Sequence, residues 1–130
     1  MFLAVIFLRF RQHSLQIFIP DRRVREDTSI DRNYCWSGEG PEGKGAQIDL
    51  LLESKANRTD YLCEMKFKGG KYVITLSDEQ NILNKIDAFA ASKMHDKTHS
   101  IHLVMVTTMG IAKGEHASIV NQSVVLEDLF

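Results

Sequence analysis

The chain has 130 residues, of which 44% are hydrophobic and 25% charged, with a formal net charge of −1. That length and balance suit one soluble globular domain able to bury a core. Near-neutrality excludes the overall basic field that gathers nucleic acid nonspecifically. The two cysteines, Cys35 and Cys63, make no zinc pattern and nothing favours a disulfide between them, which points to a reducing cytoplasm.

Met1 to Leu8 is an unbroken apolar run. It is too short to span a bilayer and has neither the basic lead nor the cleavage site of a signal peptide. It predicts a strand or short buried segment with no membrane role. Leu15 to Ile19, ended by Pro20, is a second apolar run, and the two could pair as a hairpin turning near Gln12 to Ser14. Asp21 to Asn33 carries charges of both signs and predicts a solvated linker. Residues 1–33 are therefore expected to be an N-terminal segment, and 34–130 an α/β domain.

Tyr34 to Trp36 predicts the end of a first core strand. Ser37 to Gly45 holds four glycines and Pro41, a loop composition. Glu39 and Glu42 lie in it, either as solvated charges or as auxiliary metal ligands on a flap. The loop is not a phosphate-binding loop of the Walker type.

Gly45 to Phe67, GAQIDLLLESKANRTDYLCEMKF, predicts two strands joined by the polar turn Ser54 to Asp60. Alternation puts Glu64 and Lys66 on one face with Leu62, and Tyr61, Cys63, Met65 and Phe67 on the other. In the first strand Ile48, Leu50 and Leu52 form one set, and Asp49 with Leu51 the other. With the charged sets on the same side, Asp49, Glu64 and Lys66 converge on an otherwise apolar hairpin. Buried charges must be paired or bind metal, and two carboxylates are the usual protein share of a Mg²⁺ site, the Met65 carbonyl offering a further ligand. Lys66 would then orient the attacking water or stabilise charge on a phosphate. The competing reading is a surface ion pair between Glu64 and Lys66.

Gly69-Gly70 predicts a turn and Tyr72 to Leu76 a short extended piece. Ser77 to Gln80 reads as a capping box, with Ser77 at the N-cap and Gln80 three residues on. A helix is expected to follow to about Met94, burying Ile82, Leu83, Ile86, Phe89 and Ala90. Gln80 and Lys85 flank that stripe as auxiliary site candidates. His95 and His99 fall in a polar turn and predict ordinary surface histidines; no zinc is assigned to any of the five histidines. Ile101 to Thr107 predicts a strand covered on both faces, and Ser118 to Leu126 a last strand. The expected order is strand, hairpin, helix, strand, strand, with the helix crossing over to a parallel strand.

Gly45 to Leu50 together with Cys63 to Phe67 resembles the PD-(D/E)XK nuclease superfamily, the restriction-endonuclease-like fold. More closely, Trp36, Lys44 to Gln47, Asn84 to Ile86 and Leu126 to Phe130 resemble the nuclease-like module at the C-terminal end of certain prokaryotic AAA-type ATPases. The likeness covers Tyr34 to Phe130. It implies a mixed central sheet, Asp49 and Glu64 as ligands of Mg²⁺ (Mn²⁺ as the substitute), Lys66 as the catalytic lysine, DNA as substrate and an ATPase domain or subunit as partner. The sequence departs from the family in having no proline before Asp49 and no amphipathic helix before Tyr34. Two functions follow as expectations: a Mg²⁺-dependent deoxyribonuclease, or a catalytically inactive module binding DNA or protein beside an ATPase.

Overall fold

The computed structural model describes residues 30–125. The N-terminal hairpin expected over Met1 to Ile19, His13 and the closing Leu126 to Phe130 lie outside the described residues, as does most of the charged Asp21 to Asn33 stretch.

The described residues form a five-stranded mixed sheet with one α-helix packed on one face, an α/β arrangement. Strand β1 spans Arg32–Glu39, β2 Gly45–Ser54 and β3 Thr59–Lys66; helix α1 spans Leu76–Ala90; β4 spans Ser100–Thr107 and β5 Gln122–Val125, after a 3-10 turn at Ala117–Ile119. The spatial order equals the chain order. β1, β2 and β3 pair antiparallel, whereas β4 and β5 join parallel. The change follows from the connections: a four-residue turn joins β2 to β3, and α1 carries the chain back to bring β4 in alongside β3.

Several boundaries differ from the sequence pattern for physical reasons. β1 runs on through Glu39, so Ser37 to Glu39 are strand and the loop shrinks to Gly40 to Lys44. Gly38 was poor evidence of a loop, because it pairs with Ala46 in β1, the outermost strand among the described residues. Helix α1 is capped two residues earlier than expected. Thr75, not Ser77, accepts the Asp78 amide at 3.1 Å, and the Asp78 carboxylate returns a bond from the Thr75 amide at 3.0 Å. Threonine and aspartate make the same reciprocal box as serine and glutamine, and Tyr72 selects it by donating its hydroxyl to Asp78 at 2.9 Å. The helix stops at Ala90 rather than near Met94, and β5 begins only at Gln122.

Two apolar clusters lie on opposite faces of the sheet. One joins Leu50, Leu52, Tyr61, Cys63, Val104, Val106 and Val124. The other joins Ile48, Leu51, Leu62, Leu103 and Met105 to Ile82 and Phe89 of α1. β4 is buried on both faces, as its continuous apolar run requires. Leu83, expected in the helix stripe, is 41% exposed. Ile48 also changes sides: it packs with Leu51, not with Leu50 and Leu52. The cause is a β-bulge, a one-residue irregularity in β2. Tyr34 pairs with Leu51 and Trp36 with Ile48, so Cys35 alone faces both Asp49 and Leu50.

Candidate functional site

The β2–β3 ladder ends at the pair Leu50 and Cys63. Beyond it the two strands and α1 frame a cleft of about 570 Å³. Asp49 lines it from β2, Glu64, Met65 and Lys66 from β3, and Asn81 and Lys85 from α1. The bulge sits at the mouth of this cleft, where such irregularities commonly end pairing and re-aim a side chain.

Glu64 is the buried centre of the site. Its carboxylate accepts from Lys85 Nζ through both oxygens, at 3.1 and 3.0 Å, and lies 3.7 Å from Lys66 Nζ. Two ammonium groups therefore converge on one nearly buried carboxylate, which has lost most of its hydration and depends on them. Asp49 is exposed and brings a second carboxylate to the same space. Asp78 is a third acid in the lining. Burial pushes its carboxyl up, but hydrogen bonds from Thr75 and Tyr72 and the charge of Lys66 outweigh that and hold it below the ordinary carboxylate value. Its partner, the Tyr72 hydroxyl, is pushed up to about 12, first by burial and then by that hydrogen bond.

The rim is fixed by the Gly40 to Lys44 turn, which docks on α1. Lys44 Nζ donates to Asn81 Oδ1 at 2.7 Å, and Asn84 Nδ2 donates to the carbonyls of Lys44 and Gly45, each at 3.3 Å. Gly40 makes this approach possible, because a Cβ there would stand 1.9 Å from Asn84 Oδ1. Gly43, at φ +78°, takes the left-handed conformation that closes the turn.

Of the residues singled out from sequence, Asp49, Glu64, Met65, Lys66 and Lys85 line this one cleft. Glu42 and Gln80 instead line an adjoining groove of about 430 Å³ on the far side of Lys44 and Asn84. Glu39 ends β1, exposed, and lines neither.

No family model, no curated protein and no solved structure matches the chain. Among the described residues, no helix is long and apolar enough to cross a membrane.

A second polar cluster, which the sequence reading missed, lies toward the other end of the hairpin. Glu53 and Asp60 are direct cross-strand partners, both buried, on the same face as Leu51 and Leu62. The Asp60 carboxylate meets His95 Nδ1 at 2.8 Å and His99 Nδ1 at 3.2 Å. Glu53 accepts from Arg32 Nε at 3.1 Å. Glu53, Asp60 and His99 form a buried group able to hold a metal ion. This corrects the reading of His95 and His99 as surface residues: they are 8% and 9% exposed, and His95 packs against the Phe89 ring at 5.3 Å. Asp60 was assigned to the polar turn but is the second residue of β3. The signal available was the acid on each side of the turn, Glu53 and Asp60. The histidines come from an irregular connection whose course no periodicity predicts.

Nearby, the Tyr34 hydroxyl is buried without a hydrogen-bond partner. It is pushed up to about 12 by burial, an effect the Arg32 charge opposes and the Asp60 and Glu53 charges reinforce. Elsewhere His116 Nδ1 is paired with Glu79 of α1, and both cysteines are free thiols, Cys35 exposed and Cys63 buried.

Proposed function

We propose that the cleft at the end of the β2–β3 ladder is the site of a Mg²⁺-dependent phosphodiester hydrolase acting on DNA. The observation that carries this reading is the meeting of Asp49, Glu64 and Lys66 in one open cleft, with the Met65 backbone beside them. The donor set fits the cation: hard carboxylate and carbonyl oxygens with room left for water and a phosphate. A bound Mg²⁺ would supply the positive charge that polarises the phosphodiester. Lys66, about one-third exposed, orients the attacking water and stabilises charge on the phosphate oxygens. Lys44 and the side-chain carboxamides of Asn81 and Asn84 provide a polar wall along which a nucleic-acid backbone can lie. Mn²⁺ serves in place of Mg²⁺, and an AAA-type ATPase domain or subunit is the proposed partner.

One observation favours a second reading. Lys85 already satisfies both oxygens of Glu64, so the carboxylate is neutralised without a cation, as in a binding module that has lost hydrolysis. A cleavage assay on single- and double-stranded DNA with Mg²⁺ or Mn²⁺ separates the two. The hydrolase reading expects cleavage by the wild type that falls at least a hundredfold in Asp49→Asn and Lys66→Ala, with circular dichroism unchanged. Cleavage at the wild-type rate by both variants would refute it, and saturable DNA binding without cleavage by any form would establish the binding module.

A further inference from the structure

We infer that Glu53, Asp60 and His99 form a second cation site, for a first-row transition-metal ion such as Zn²⁺, that fastens the α1–β4 connection to the β2–β3 hairpin. It is independent of the hydrolase reading, being separated from that cleft by the buried Leu51–Leu62 pair. Four residues along β2 from Asp49 to Glu53 span about 13 Å at strand rise.

The ligand geometry fits one metal. Donor atoms of the three residues all lie within 4.8 Å of one another. Asp60 Oδ1 and His99 Nδ1 are 3.2 Å apart. Two donors each about 2.1 Å from a metal stand about 3.0 Å apart at right angles and about 3.4 Å apart in a tetrahedron, so 3.2 Å needs little adjustment.

Each ligand is also held from behind, as metal ligands usually are. Arg32 grips Glu53 Oε1 at 3.1 Å. His95 Nδ1 grips Asp60 Oδ2, the oxygen His99 does not use, at 2.8 Å. Asp96 Oδ2 stands 3.5 Å from Nε2 of His99, and Asp96 itself is anchored by the Thr98 amide and hydroxyl at 2.9 and 2.6 Å. A metal on His99 Nδ1 would complete a carboxylate–imidazole–metal arrangement, with Asp96 at ion-pair distance from the outer nitrogen.

The donor types choose the metal. An imidazole with two carboxylates favours Zn²⁺, Fe²⁺ or Mn²⁺ over Mg²⁺ or Ca²⁺, which take oxygen ligands. The electrostatics agree: two carboxylates directly opposite each other in a ladder repel, and a divalent cation between them relieves that repulsion while binding a third chain segment through His99.

Zn²⁺ alone is the probe, added to the full chain freed of metal and set in competition with a chromogenic chelator. The wild type and the Asp49→Asn/Glu64→Gln double variant should each bind one tight equivalent. His99→Gln should bind at least tenfold more weakly, and His95→Gln, which removes the outer bond to Asp60 but no ligand, should also weaken binding while leaving one equivalent. Unchanged affinity in His99→Gln, loss of the equivalent in the double variant, or no tight binding by the wild type would overturn the assignment. Where His99→Gln fails to fold, the unsubstituted protein decides: Co²⁺ should broaden the imidazole resonances of His95 and His99 and spare His116. Broadening at His116 instead, or at none, would equally overturn it.

Discussion

Replacing Lys85 by methionine tests how the cleft balances its charge. In the folded chain Lys85 Nζ sits 3.0 Å from Glu64 Oε2, with the two side chains 23% and 11% exposed. At that separation the attraction is about 5 kcal/mol for an effective dielectric near 20, most of it offset by the cost of drying both groups. Truncation leaves Glu64 with Lys66 alone at 3.7 Å, so Lys85→Met is expected to lose about 2 kcal/mol without divalent cation. With a urea dependence of about 2 kcal/mol per molar, that lowers the unfolding midpoint by about 1 M. Mg²⁺ should then reverse the order of response. A cation at a hundred times its dissociation constant stabilises by about 2.7 kcal/mol, but in the wild type it must first displace the lysine. The variant should therefore gain more from Mg²⁺ than the wild type does. A midpoint within about 0.2 M of wild type (under half a kcal/mol), or equal Mg²⁺ stabilisation of both proteins, would refute the reasoning.

Leu62, fully buried between the two polar ends of the hairpin, should cost about 2–5 kcal/mol on replacement by alanine, measured by urea unfolding, with the differential Mg²⁺ response of Lys85→Met preserved. Thr75→Ala removes the helix cap and should cost about 1 kcal/mol, seen as a lower thermal midpoint. The Asp78 carboxyl is held below its ordinary value in the folded chain, so it contributes stability that is present above about pH 4, its unfolded value, and lost as the pH falls through the folded one. Asp78→Asn should lose that acid-sensitive portion, read as a flatter thermal midpoint between about pH 2.5 and 5. Burial pushes the Cys63 thiol well up while Cys35 is exposed. A thiol reagent at pH 8 should modify one cysteine fast in the native state and the second only on unfolding; two fast equivalents would contradict the burial.

The order of elements was legible because each carries a strong local signal: the apolar run of β4, the two strands either side of a polar turn, the helical spacing of Ile82, Ile86 and Phe89. Asp49, Glu64 and Lys66 were legible as a candidate site because charges inside strands stand out from their apolar neighbours. What alternation alone misjudged was Ile48, since a bulge leaves no mark in composition and is set by how β1 pairs with β2. The cluster at Glu53 and Asp60 stayed hidden for a different reason. Acids beside a polar turn look solvated until the connection bearing His95 and His99 folds over them, and that contact spans 35 and 39 residues.

Asp49 is exposed and sits at the bulge, so β2 can be written without it and keep its alternation. With it struck out, Ala46, Ile48, Leu51 and Glu53 would fall on one side and Gln47, Leu50, Leu52 and Ser54 on the other, in unbroken alternation, with every cluster member keeping its neighbours. A single-codon deletion would therefore erase the acid without turning any core residue of β2 to the wrong face, and two chains with the same core pattern could differ by this insertion alone. Placing the proposed site on another scaffold would mean copying the hiccup in the strand along with the carboxylate it accommodates.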